Sequence, residues 1–141
     1  MARFEDLSPC DYFPFPSENL IAVGWLELDS KYERGSVDSD FYIKLKALCT
    51  DPWQPISAAG SHSCELCQFE APRFMQNIFV PHGGSIYVAP VAVLHYITAH
   101  WYRPPEVFIN AVMACPAMNS TEYKKALLAN GGRHLVGPLN N

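Results

Sequence analysis

A small α+β domain is what this sequence predicts, and three observations lead there. They are a Cys64-Glu65-Leu66-Cys67 knuckle, two apolar and β-branched runs flanking Pro81-His82-Gly83-Gly84-Ser85, and an apolar segment that carries His95 and His100. In chain order they give a knuckle, a β-hairpin and a helix, with further short helices packed alongside. A Cys-x-x-Cys sets two sulfurs on one tight turn, and two thiolates with two imidazoles can close a tetrahedral zinc site. The expectation is therefore a treble-clef or finger-like zinc module within one domain spanning residues 1–141.

The elements follow in order. Residues 1–18 are rich in proline and aromatic residues, and Tyr12, Phe13 and Phe15 are expected to lie as an extended arm over the core. Residues 20–26, Leu-Ile-Ala-Val-Gly-Trp-Leu, are nearly continuous in apolar character and read as a strand covered on both faces. Asp38-Ser39-Asp40 supplies a helix start, Phe41, Leu45 and Leu48 form its buried stripe with Lys44 and Lys46 off it, and Pro52 stops it. Trp53 and Pro55 then carry an ordered loop to Gly60 and the knuckle.

Residues 77–80 and 86–88 are the hairpin strands, with the two glycines in the loop between them. Residues 91–101 form a buried helix opened by Pro90. Pro104-Pro105-Glu106 begins another helix, with Val107, Phe108, Ala111 and Val112 as its apolar stripe. Asn119-Ser120-Thr121-Glu122 caps a last helix bearing Tyr123, Leu127 and Leu128, ended by Asn130-Gly131-Gly132, after which the tail is expected to fray. Twelve prolines keep all these elements short.

The metal ligands predicted are Cys64, Cys67, His95 and His100, holding Zn2+. Two features complicate the set. The 27 residues 68–94 between the pairs make a gap about twice that of a compact finger. Positions five apart also diverge by roughly 140° on an ideal α-helix, so His95 and His100 share one ion only if the last turn tightens or frays. His62, two residues before Cys64, is the reserve ligand, and the choice between His100 and His62 stays open. His82 at the hairpin tip and His134 in the glycine-flanked tail are expected to face solvent. The competing readings are a redox pair, or buried thiols and a core histidine with no special chemistry. A redox pair wants the cysteines directly after a strand and opening a helix, whereas loop-forming residues surround these.

Composition narrows the function. The chain has 141 residues, 49% hydrophobic and 17% charged, with a net charge of −4. Lys and Arg are scattered singly apart from Lys124-Lys125, so no basic stripe is available for nonspecific nucleic-acid binding. No apolar run approaches the length of about eighteen residues that a membrane span requires. Five cysteines, an odd number of which Cys10, Cys49 and Cys115 sit in unrelated settings, and the lack of a leader pattern suit a cytoplasmic protein. Nucleotide-binding glycine loops and a Gly-x-Ser-x-Gly elbow are absent.

Leu7-Ser8-Pro9, Val23-Gly24-Trp25-Leu26, His62-Ser63-Cys64-Glu65-Leu66-Cys67, Tyr87-Val88-Ala89-Pro90, His95-Tyr96, His100 and Pro104-Pro105-Glu106-Val107-Phe108 together resemble a family of small, uncharacterised bacterial proteins. The resemblance spans nearly the whole chain and implies a bacterial, intracellular, single-domain protein. It brings no activity or substrate, and it raises His62 as a ligand candidate. Two functions are then expected in order: structural zinc in a domain that binds an unknown protein partner, or a zinc-dependent hydrolase with an open metal position and Glu65 as general base. Two thiolates lower the Lewis acidity of the ion, and the zinc-deaminase motif order is absent, so the structural reading leads. Arg103 and Glu106 are expected at a solvated helix end, and Cys115 as a buried thiol.

Overall fold

The computed structural model describes residues 5–11, 19–55, 62–67 and 72–136. The aromatic arm of Tyr12, Phe13 and Phe15 lies outside the described residues, as do residues 56–61 with Gly60 and residues 68–71 after the knuckle.

A hairpin organises the α+β domain. Its strands β4 (Asn77–His82) and β5 (Ser85–Pro90) pair antiparallel from Asn77↔Pro90 to His82↔Ser85, so they run further into the turn than residues 77–80 and 86–88. Gly83 and Gly84 alone remain between them, at φ 61° and 89°. Two successive positive φ values make the tight turn whose twist matches a hairpin, and glycine adopts them without the clash of a Cβ. Asn77, Ile78, Phe79, Val80 and Pro81 are all buried, which places both faces of β4 against other elements. Pro81 is tolerated there because β4 is an edge strand.

On the other side of β5, β1 (Leu20–Ala22) pairs parallel to it, from Leu20↔Ile86 to Ala22↔Val88. The strand is shorter than the apolar run 20–26, because Gly24 takes φ 79° and turns the chain away. Its N–H donates to Asp6 Oδ1 at 2.9 Å. Burial nevertheless persists through Val23, Trp25 and Leu26, and Trp25 Nε1 donates to Val88 O at 2.9 Å. A Cβ at position 24 would lie 3.1 Å from Val93 Cγ2 on an already unfavourable φ. Gly24→Ala is expected to destabilise the fold by about 1–2 kcal/mol. A urea midpoint equal to that of the wild type would count against this account.

Helices enclose the sheet. Asp38 stands in extended conformation before α1 (Ser39–Thr50), and Asp40 in the first turn complements the helix dipole. Phe41, Leu45, Leu48 and Cys49 face inward. They meet α3 (Glu106–Ala114), which buries Phe108, Ala111 and Val112, with the Phe41 and Phe108 rings edge to face at 6.5 Å. Val107 lies at the edge of that stripe and is 45% exposed, unlike the expectation. Ser120 caps α4 (Thr121–Ala129), its hydroxyl accepting from Tyr123 N at 3.1 Å, and Tyr123 Oη donates to Phe79 O at 2.5 Å. Leu128 turns outward.

The chain stays ordered after α4 through residue 136, and the last residues, 137–141, for which fraying is expected, lie outside the described residues. Gly132 N donates to Leu127 O at 2.7 Å, and a Cβ there would sit 2.6 Å from that oxygen, so glycine permits the close return. A short α5 (Arg133–Val136) then buries Leu135 and Val136; the side chain of His134 lies outside the described residues. No helix among the described residues is long and apolar enough to cross a membrane.

Candidate metal centre

The knuckle hangs from a two-stranded ribbon. In it β2 (His62–Ser63) and β3 (Arg73–Phe74) pair antiparallel as His62↔Phe74 and Ser63↔Arg73, and Cys64 N donates to Pro72 O at 3.2 Å. The ribbon closes the base of the loop. Glu65 Oε1 accepts from Leu28 N at 3.1 Å, tying the knuckle to the turn that follows β1.

The histidines come from α2 (Val93–His100), which begins after a turn at residues 91–92 and ends on His100 itself. Its last turn neither tightens nor frays; it widens. Trp101 adopts φ 57° and ψ 26°, and the N–H groups of Trp101 and Tyr102 both reach back to the Tyr96 carbonyl. The Trp101 bond spans five residues, a π-type turn one residue wider than the usual left-handed helix ending. A wider turn advances less per residue, which brings position 100 round towards the azimuth of position 95. A bulky residue at positive φ is unfavourable, and Trp101 is 61% exposed, so the conformation is held by its surroundings.

The four predicted ligand residues meet. Cys64 Sγ lies 3.3 Å from His100 Nε2, Cys67 Sγ lies 3.2 Å from His95 Nε2 and 3.5 Å from His100 Nε2, and all four ligand atoms lie within 4.8 Å of one another. A tetrahedron with the usual zinc–sulfur and zinc–nitrogen lengths has sulfur–nitrogen edges of about 3.6 Å. The cluster fits that size, and it could hold a metal ion. Soft sulfur and borderline imidazole donors do not suit magnesium or calcium, which take oxygen.

Electrostatics favour neutral imidazoles here. Burial, and then the neighbouring His100, lowers the pKa of His95; burial, and then the Arg34 guanidinium, lowers that of His100. Burial likewise raises the Cys64 thiol, with Cys67 beside it adding to the rise. Neutral imidazole is the form that ligates a metal.

His62 stands apart from the cluster. It is 4% exposed, with Nε2 2.5 Å from Tyr96 Oη, its ring edge to face with Trp25 at 5.6 Å, and Nδ1 buried without a hydrogen-bond partner among the described residues. Burial lowers its pKa to about 4. Tyr96 Oη also donates to Leu26 O at 3.3 Å, so this pair braces α2 against the knuckle strand from behind. His82 closes β4 half-buried, beside the turn and away from the cluster. Cys115 is buried at the end of α3, its thiol raised to about 11 by burial. Arg103 and Glu106 form an exposed ion pair at 3.0 Å, and Arg103 Nη1 donates to Ser36 O.

Sequence reasoning missed the residues that hold the α2 terminus. Tyr32 Oη donates to His100 O at 3.0 Å, Gly35 N to Trp101 O at 3.0 Å, and Arg103 N to Glu33 O at 3.0 Å. These donors lie in a charged stretch without periodicity, where no local signal marks them.

The chain belongs to a family described as a domain of unknown function (DUF7919), whose model matches residues 2–113. That span contains all four members of the cluster and stops within α3, leaving α4 and α5 outside it. No curated protein and no solved structure matches the chain.

Proposed function

We propose that the domain binds one zinc ion through Cys64, Cys67, His95 and His100, that the ion is structural, and that the biological role lies in a surface that docks another protein. The observation that carries this reading is the closure of two sulfurs and two nitrogens at tetrahedral spacing, all within 4.8 Å of one another. Four side-chain ligands fill a tetrahedral ion and leave no position for water, which separates structural from hydrolytic zinc. Glu65, the base that a hydrolase would need, is exposed and already accepts from Leu28 N.

The order of knuckle, hairpin and helix supports a treble-clef-like module, here with β5 shared by a mixed sheet. For docking, Trp101 at 61% and Leu28 at 73% exposure leave large apolar side chains in water beside the ligand-bearing segments. The thiols of Cys49, Cys64, Cys67 and Cys115, none in a disulfide, support a reducing cytoplasm as the location. Protein purified without chelator is expected to carry about one zinc per chain by elemental analysis. Protein free of any transition metal would overturn the proposal.

A further inference from the structure

We infer that residues 27–36 form a strap whose order depends on the occupied metal centre. The inference rests on the zinc reading above. None of these ten residues is buried, and apart from one isolated bridge, Arg34↔Tyr102, they belong to no helix or strand. Tyr32 alone packs against the core, edge to face with Tyr102 at 5.8 Å, so the segment has little stability of its own and takes most of it from its hydrogen bonds.

Those bonds converge on the metal centre. Leu28 N donates to Glu65, which lies between the two cysteine ligands. Tyr32 Oη donates to the carbonyl of His100, a ligand, and Gly35 N to the carbonyl of Trp101, the left-handed residue next to it. Arg103 N donates back to Glu33 O, and the Arg34 guanidinium stacks 5.1 Å over the Tyr32 ring. One end of the strap is thus tied to the knuckle and the other to the widened end of α2. Zinc would hold these two anchors at a fixed separation. Without it the Cys64–Cys67 turn and the end of α2 are coupled through weak thiol–imidazole contacts, the His62–Tyr96 brace lying further back, and the unfavourable Trp101 conformation loses support.

The strap has a consequence for the surface. Residues 29–33 form one wall of a cleft of about 640 Å3 whose opposite wall includes Asp6, Arg103 and Pro105. Asp6 is itself fixed there by Gly24 N and Tyr102 Oη. Release of the strap removes one wall while the other stays, so metal occupancy controls whether the cleft exists.

Trypsin tests this on the full chain, since Lys31 and Arg34 are exposed on the strap. Among the other described basic residues, Lys44, Lys46, Lys124, Lys125 and Arg133 lie on helices, Arg73 lies on β3, and Arg103 precedes a proline that blocks cleavage. Zinc content is measured on the same samples, and cut sites are read by mass spectrometry. Zinc-loaded protein should resist at both positions, and chelator-stripped protein should be cut there about tenfold faster, ahead of sites on α1 and α4. Equal rates with zinc demonstrably bound and removed would overturn the strap and leave the zinc site standing. A starting protein without zinc would overturn both. Should stripping expose every site at once, zinc-loaded Tyr32→Phe decides: cleavage at Lys31 and Arg34 several-fold faster with zinc retained supports the strap, and unchanged cleavage overturns it.

Discussion

Cys64→Ser and Cys67→Ser are each expected to lose zinc and to melt about 10–20 °C below the wild type, corresponding to about 3–5 kcal/mol for a chain of this size. A serine hydroxyl is a poor zinc ligand, and the metal-binding free energy that it forfeits is folding free energy wherever the site does not persist in the unfolded chain. The domain should not unfold outright, because the β4–β5 hairpin, α1, α3 and α4 supply most of the buried core, to which the knuckle adds Cys64 with Leu66 and Cys67 packed against it. Cys64→Ser should be the more damaging change. Cys64 is fully buried, so its replacement leaves a hydroxyl inside the protein, whereas Cys67 is half-buried and its replacement can reach water. Thermal melts in the presence and absence of a zinc chelator check this, and the chelated wild type should fall to the level of the variants. Melting within about 2 °C of wild type in both variants would leave the pair with no structural role.

The fold was legible wherever one local rule decided the outcome. Gly83 and Gly84 announce their hairpin because only glycine tolerates two positive φ values in a row. The Ser120 cap and the proline before α3 mark helix starts through unsatisfied N–H groups, which are a local matter. Apolar runs predicted burial better than they predicted conformation. Residues 20–26 are inside almost throughout, yet only Leu20–Ala22 is strand, because Gly24 turns towards Asp6 for a hydrogen bond made eighteen residues away. The short helix at residues 133–136 went unread for a related reason: Leu135 and Val136 become buried only because Gly132 lets the chain fold back on Leu127.

At the site, residue type and spacing identified the four members of the cluster but could not choose between His100 and His62. The choice depends on a widened turn and on Tyr96. Trp101 carries no sequence signal for a left-handed conformation, where glycine or asparagine would be expected. The conformation comes from long-range partners, with Gly35 bonding the Trp101 carbonyl and Tyr32 that of His100. Tyr96 meanwhile stands against His62 and keeps it behind the knuckle strand. Both effects are tertiary, so spacing along the chain holds no trace of them.

Removing the histidines one at a time should therefore separate ligand from support. His95→Ala and His100→Ala are each expected to weaken zinc retention against a competing chelator by about 100-fold or more, equivalent to about 2.7 kcal/mol. Each Nε2 lies within 3.5 Å of a cysteine sulfur, His95 of Cys67 and His100 of both, and all four ligand atoms lie within 4.8 Å of one another, where one ion can reach them. His62→Ala should keep zinc within a few-fold of wild type while costing about 2–3 kcal/mol of stability, since it empties a buried space between Trp25 and Tyr96 and takes a hydrogen-bond partner from the Tyr96 hydroxyl. A ligand variant should lose zinc and stability together, whereas a buttress variant should lose stability and keep its zinc. A protein that loses its zinc with His62→Ala and retains it with His100→Ala would move the fourth ligand into the knuckle strand. It would also make the widened end of α2 a feature of chain packing with no part in holding the ion.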